Sequence, residues 1–243
     1  MYLGAGIWPW HSSTMSSLWI SETFLSIQGE GLLAGVPSLF IRTSGCNLRC
    51  HFCDTPYTSW EATGEQRSLA SLLAWVDAHP HVRHVVVTGG EPVIAVGIEA
   101  LIEALQARDL HITVETAGTV WKPLPVDLWS ISPKLASSAP RDDAQGWRAR
   151  HLATRYAPEV LRAMMGSTYQ LKFVAGSLED LDDIAAIVAD LGAARDRVLV
   201  MPEAISVEAL DETSRWLVPA VIARGFRYCD RLHIRLFGHT RGT

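Results

Sequence analysis

Three of the four cysteines in this 243-residue chain fall within eight positions, Cys46-Asn47-Leu48-Arg49-Cys50-His51-Phe52-Cys53. The spacing C-x3-C-x2-C brings three thiolates onto one loop, and three soft ligands suit iron–sulfur or zinc chemistry. A structural zinc site closes with a fourth Cys or His. His51, strained between two ligands of the same loop, and the distant Cys229 are the candidates for that place. Three cysteines on a cubane instead leave one iron open, which is useful where something must bind there. The bland alternative is a set of buried free thiols, and that reading suits lone Cys229 best. A second chemical feature is Thr88-Gly89-Gly90-Glu91-Pro92, whose glycines permit close backbone approach.

Both features need elements to hold them. Leu39–Ile41, Arg83–Thr88, His111–Glu115, Leu128–Ile131, Gln170–Val174, Val198–Met201 and Leu232–Leu236 read as strands, being short β-branched or aromatic runs with turn residues after them. Between most of them, Ser68–Ala78, Val96–Arg108, Leu178–Leu191 and Val207–Arg224 carry apolar residues at helical spacing, and Ser177 with Asp180 forms a capping signal. This alternation implies βαβ units and a mainly parallel sheet, whose ligands sit beyond the carboxyl ends of the strands. The segments GCNLRCHFCDT, TGGEP, ETAGT, SPK and MPEA all follow strands, so they converge on one face. Periodicity leaves open whether the sheet closes.

Hydrophobic residues make up 48% of the chain and charged residues 19%. A chain of this size buries roughly 70–75% of its surface on folding, which excludes disorder and a small disulfide-stapled scaffold. The formal net charge of −5 argues against a broad nucleic-acid surface and for a small-molecule partner. No apolar run of about 18 residues and no secretory pattern occurs, which points to a reducing cytoplasm with no membrane partner. Residues 1–14 read as an N-terminal extension, and residues 15–243 as one domain.

With Phe52 just before the last cysteine and the TGGEP strand end behind it, the sequence resembles the radical S-adenosylmethionine (SAM) enzymes. Residues 22–43 (ETFLSIQGEGLLAGVPSLFIRT), CDTPYTSW, ETAGT, SPKLASS, LKFV and LHIRLFGHTRGT further resemble the 7-carboxy-7-deazaguanine synthase family. The resemblance implies an α/β fold of the radical SAM type, a modified partial (β/α)6 TIM-like barrel, assembled as a homodimer. It also implies conversion of 6-carboxy-5,6,7,8-tetrahydropterin to 7-carboxy-7-deazaguanine with loss of ammonia, towards queuosine and other deazapurines, fed by a reductant such as flavodoxin or ferredoxin.

By motif matching, Cys46, Cys50 and Cys53 hold a [4Fe–4S] cluster. SAM contacts fall to Phe52, Cys53, Asp54, Gly90, Ser132, Pro133 and Lys134, and to Met201, Pro202, Glu203 and Ala204, although Met201 and Glu203 depart from the family's sequence. Ile27, Gln28, Gly29, Arg42 and Thr88 face the pterin, and Thr55 supplies a hydroxyl to Mg²⁺. Arg42 offers a planar fork matched to a carboxylate, against the plainer reading of a surface ion pair. Mg²⁺ commonly uses carboxylates and water, so spacing alone makes Thr55 a loop hydroxyl and only the resemblance makes it a ligand. Lys134 is either a cation beside SAM or solvated; Glu30 and Glu115 take hydrogen-bonding roles. The competing functions are another radical SAM enzyme, such as a glycyl-radical activase, and a zinc-binding module.

Other features read plainly. The nine tryptophans are core and interface material. Glu179 to Asp183 marks the solvated start of a helix. His79, His81 and His84 read as exposed loop histidines, while His233 and the terminal Arg241-Gly242 close over the substrate by resemblance.

Overall fold

The computed structural model describes residues 17–142 and 144–243; the extension read over residues 1–14 lies outside them. Among the described residues nine strands share one sheet: β1 (Ser17–Ile27), β2 (Pro37–Thr43), β3 (Glu65–Ser68), β4 (His84–Gly89), β5 (His111–Thr116), β6 (Leu128–Ile131), β7 (Tyr169–Ala175), β8 (Val198–Pro202) and β9 (Arg227–Tyr228). Their order is β3-β1-β2-β4-β5-β6-β7-β8-β9. From β2 through β9 neighbours run parallel, while β1 lies antiparallel between β2 and β3. The parallel strands are linked through α1 (Leu69–Asp77), α2 (Ile98–Gln106), α3 (Trp147–Thr154), α4 (Pro158–Met165), α5 (Leu178–Leu191) and α6 (Val207–Ala223), and α7 (Leu232–Phe237) follows β9. Strands β2 and β4 to β8 are the six staves of the expected partial barrel. The sheet ends at β3 and β9 without pairing them, so the barrel is open.

Helix starts follow the sequence signals. Ser68 caps α1 by accepting from Ser71 N, and Ser177 with Asp180 forms a reciprocal capping box on α5. Alternation along the strands divides the two faces. Ile41, Val87, Val114, Ile131 and Phe173 join the core packed under the helices. Arg42, Thr88, Glu115, Ser130 and Lys172 stand on the other face and line a cavity. Closed eight-stranded barrels fill that face with branched aliphatic side chains; here polar ones at the carboxyl ends keep it open.

Three expectations change. Leu232–Leu236 is helix α7, because the alternation of LHIRL is not matched by burial: Ile234 is buried, whereas Leu236 and Phe237 are exposed. His84 is 3% exposed rather than a loop histidine, since β4 starts on it and its ring lies between Ser38 Oγ at 2.7 Å and Thr113 Oγ1 at 2.8 Å. Asp180 is buried as part of its cap, so only its neighbours in that acidic run are solvated.

Strand β1 went unread because its alternation is broken. The β1–β2 register shifts between Ile20 and Glu22, with Ile20 opposite Thr43 and Glu22 opposite Arg42. The extra residue turns Glu22 away from the face that Leu18 and Ile20 bury and towards Arg42.

Candidate functional site

A cavity of about 1170 Å³ opens at the carboxyl ends of the parallel strands. That exceeds the 300–1,000 Å³ typical of one small ligand, so more than one molecule fits. Every residue named from the sequence as a site residue lines it except Pro133, which is buried behind the Ser132–Lys134 turn.

The cysteine loop leaves β2 and is fastened on three sides. Arg49 N donates to His151 Nδ1 at 3.1 Å, His51 N to Ser138 O at 3.0 Å, and Trp60 Nε1 to Cys50 O at 3.0 Å. The Arg49 guanidinium stacks 4.0 Å from the Trp147 ring and donates to Cys46 O at 2.8 Å. Cys46, Cys50 and Cys53 thus share one wall of the cavity. Burial pushes the Cys46 thiol up to about 11 and the Cys50 thiol to about 12. Cys229 is not part of this wall; it is buried beside Leu199 and Met201, where its Sγ accepts from Gly31 N.

Gly89 and Gly90 serve this loop directly. A Cβ on Gly90 would stand 2.2 Å from Gly45 O and 2.7 Å from Thr58 O, and one on Gly89 2.3 Å from Thr43 O, where φ is also +146°. The close approach expected of a ligand is therefore made first by the protein's own backbone. Glu91 then ties β4 to β5, accepting from Thr116 Oγ1 at 2.7 Å, Ala117 N at 2.8 Å and Val93 N at 3.1 Å. Complete burial raises its carboxyl above the usual range despite those donors.

The opposite wall comes from the QGEG segment after β1. Gln28 Nε2 donates to Glu115 Oε1 at 3.2 Å, and Thr88 Oγ1 to Glu115 Oε2 at 3.0 Å. Lys172 Nζ lies 2.5 Å from Glu30 Oε2 and 3.5 Å from Glu115 Oε1. Burial opposes the Lys172 charge, yet Glu115 and Glu30 outweigh it and hold the ammonium above its usual range. Glu30, which burial would raise, is held well below its usual range by Lys172 and Arg231. Gly29 admits no side chain, since a Cβ would fall 2.0 Å from His233 Nδ1.

Arg42 is neither bare nor a surface pair. Its Nε donates to Glu22 Oε1 at 2.7 Å, and its guanidinium lies 5.6 Å from the Phe24 ring centre. Glu22 also accepts from Tyr57 OH and from Arg241 Nε, each at 3.0 Å. The terminal segment, with His239 against Asp54 O, thereby lies along the cavity mouth. Thr55 Oγ1 meets only Thr58 Oγ1 at 3.4 Å and Cys53 Sγ at 3.9 Å among the described residues. Lys134 Nζ donates to Ser132 Oγ at 2.7 Å, so it is anchored in its turn. Sequence reasoning missed Glu22, Tyr57 and Arg231. The first two stand inside the quoted ETFLSIQGEG and CDTPYTSW segments, but nothing local shows that they converge on Arg42 and Arg241, and Arg231 lies just outside the segment read as a strand.

A sequence profile of the Radical SAM superfamily matches residues 40–134. A curated 7-carboxy-7-deazaguanine synthase from Rhodopirellula baltica is 50% identical over 231 residues, covering 94% of this chain and 90% of that protein. The chain belongs to the 7-carboxy-7-deazaguanine synthase family. A second synthase, from Halobacterium salinarum, is 43% identical over 230 residues and covers 90% of both chains. The crystal structure of QueE from Escherichia coli matches with a TM-score of 0.67 at 26% identity, over 89% of this chain and 95% of that one. As a member of this family the chain is a radical SAM enzyme with the partial-barrel fold expected of it.

The residues present fit an iron–sulfur cluster and SAM. Among the described residues, no three His, Cys, Asp or Glu side chains converge on a point that would hold a single metal ion. Cys46, Cys50 and Cys53 nonetheless line one cavity from a single loop, and three thiolates so placed suit an iron–sulfur cluster. The cavity has room beside the cysteines for SAM. Among the described residues, too, no helix is long and apolar enough to cross a membrane.

Proposed function

We propose that the chain converts 6-carboxy-5,6,7,8-tetrahydropterin to 7-carboxy-7-deazaguanine with release of ammonia, a step towards queuosine and related deazapurines, in one domain over residues 15–243. The observation that carries this reading is the pairing, across one cavity, of a three-cysteine wall with a polar wall containing Gln28, Arg42, Thr88 and Glu115. A [4Fe–4S] cluster on Cys46, Cys50 and Cys53 supplies, with SAM, the reductive chemistry that generates a radical able to remove hydrogen from the pterin.

The chain's own residues bind and orient. Phe52, Cys53 and Asp54 from the cysteine loop, Gly90, the Ser132 and Lys134 turn, and Met201, Pro202, Glu203 and Ala204 after β8 enclose SAM, while Pro133 stiffens its turn from behind. Ile27, Gln28, Gly29 and Thr88 face the pterin. Gln28 and Thr88 are already oriented by Glu115, so little freedom remains to be lost when substrate binds. Arg42, held through Nε by Glu22, presents its remaining donors to the substrate carboxylate. Thr55 would offer its hydroxyl to Mg²⁺, which would balance negative charge on the substrate, while Asp54 is engaged by Arg231. A flavodoxin- or ferredoxin-like donor, a homodimer and a cytoplasmic setting complete the reading.

The test is turnover. Anaerobically reconstituted protein given SAM, Mg²⁺, a reductant and the carboxytetrahydropterin should release deazaguanine and ammonia in equal amounts. SAM cleavage without deazaguanine overturns the substrate assignment. A colourless, zinc-loaded protein free of iron overturns the chemistry.

A further inference from the structure

The sheet does not close on itself, yet its two ends meet at one side chain. Glu30 and Asp54 follow β1 and β2 at one end of the strand order, whereas Ala204 and Arg231 follow β8 and β9 at the other. Arg231 is 4% exposed and spends each guanidinium nitrogen on a different partner: Nε donates to Glu30 Oε1 at 3.0 Å, Nη1 to Ala204 O at 2.8 Å, and Nη2 to Asp54 Oδ2. The backbone reinforces the same seam, with Leu232 N donating to Gly29 O at 2.9 Å. Charge is balanced within it. Burial alone would raise Asp54, but Arg231 holds it below the usual carboxylate range, and Lys172 takes the other oxygen of Glu30.

We propose that Arg231 is a positioning residue that staples the open barrel shut and sets the SAM wall of the cavity against the pterin wall. This rests on the function proposed above. Asp54 and Ala204 belong to the segments assigned to SAM, and Glu30 continues the segment assigned to the pterin, so one rigid fork determines the separation of the two bound molecules. A planar guanidinium has three nitrogens in fixed directions, which neither an amide nor an ammonium reproduces. Where reacting atoms must be held in a near-attack geometry, a shift of about 1 Å costs roughly 10²-fold. The loss should therefore appear as uncoupling, in which SAM is still cleaved but its radical no longer meets the pterin.

The experiment compares wild type, Arg231→Lys and Arg231→Gln, each reconstituted anaerobically, by iron content, 5′-deoxyadenosine released and deazaguanine formed. The ratio of 5′-deoxyadenosine to deazaguanine should rise roughly tenfold or more in both variants. Arg231→Lys, which keeps the charge, should retain wild-type iron. An unchanged ratio in Arg231→Lys overturns the inference, whether or not Arg231→Gln holds its cluster, as does a parallel fall of both products. A second arm uses iron-free protein, where hydrogen exchange at residues 28–31, 53–55 and 203–205 should rise together in Arg231→Lys. Unchanged protection there refutes the staple. Should wild type cleave SAM but make no deazaguanine, the substrate assignment fails and this exchange arm decides the staple alone.

Discussion

Replacing Gly90 by alanine adds one methyl group at the most crowded point between β4 and the cysteine loop. The new Cβ would start 2.2 Å from Gly45 O, while ordinary contact begins at 3.4 Å, so one side must retreat by about 1 Å. Retreat is not free, because Gly45 O accepts from Glu91 N at 2.9 Å and Gly45 N donates to Thr58 O at 2.9 Å. Thr58 O is itself 2.7 Å from the added carbon. Overpacking of this kind costs about 1–3 kcal/mol. At roughly 2–4 °C per kcal/mol for a chain of this size, Tm should fall by about 2–12 °C. Gly45 immediately precedes Cys46, so the displacement passes into the ligand loop, and SAM cleavage should drop by about two orders of magnitude. The assay is a thermal melt of the iron-free protein, then iron content and 5′-deoxyadenosine formation after reconstitution. A Gly90→Ala protein that melts, loads iron and cleaves SAM like wild type would refute the reasoning.

Three further outcomes follow from the same geometry. Arg42→Ala should keep iron and SAM cleavage but raise the pterin KM roughly 10- to 100-fold, the worth of a charge-assisted bond of about 1.5–3 kcal/mol; steady-state kinetics with both products quantified checks it. Glu91→Gln keeps the shape but turns one accepting oxygen into a donor facing Ala117 N or Thr116 Oγ1, so stability should fall by about 1–3 kcal/mol, read by denaturant titration. His84 is held neutral because burial, helped by His111, pushes its pKa from 6.5 down to about 4. The unfolded chain binds that proton first as pH falls, so the contribution of His84 is full above about 6.5 and is lost by about 4, amounting to at most about 3 kcal/mol. Melts between those pH values should show the slope, and His84→Gln should flatten it.

Much of the fold was legible because parallel βαβ units announce themselves locally. Runs such as HVVVT must be buried on the helix side, helices repeat at their own period, and the polar segments come after the strands. That ordering alone brought the cysteine loop, TGGEP, ETAGT and SPK to one end of the molecule. The residues that failed to show themselves share a cause. Glu22 turns to Arg42 only because an extra residue in β1 reverses the alternation, and nothing local marks the bulge. The alternation in LHIRL is that of a strand, but the segment does not extend the sheet beyond β9 and instead packs Ile234 as a short helix.

By itself, then, the sequence determined which atoms are available for chemistry and which end of the strands they occupy, since both follow from residue type and short-range periodicity. Only the tertiary structure decided which of them meet. Arg231 finds Glu30 and Asp54 across the gap of an open barrel, after the chain has traversed the whole sheet, and Gly90 is defined by the carbonyls of Gly45 and Thr58 that press on it. Such contacts depend on how far the sheet curls before it stops, a property of the packed whole that no local run of side chains encodes.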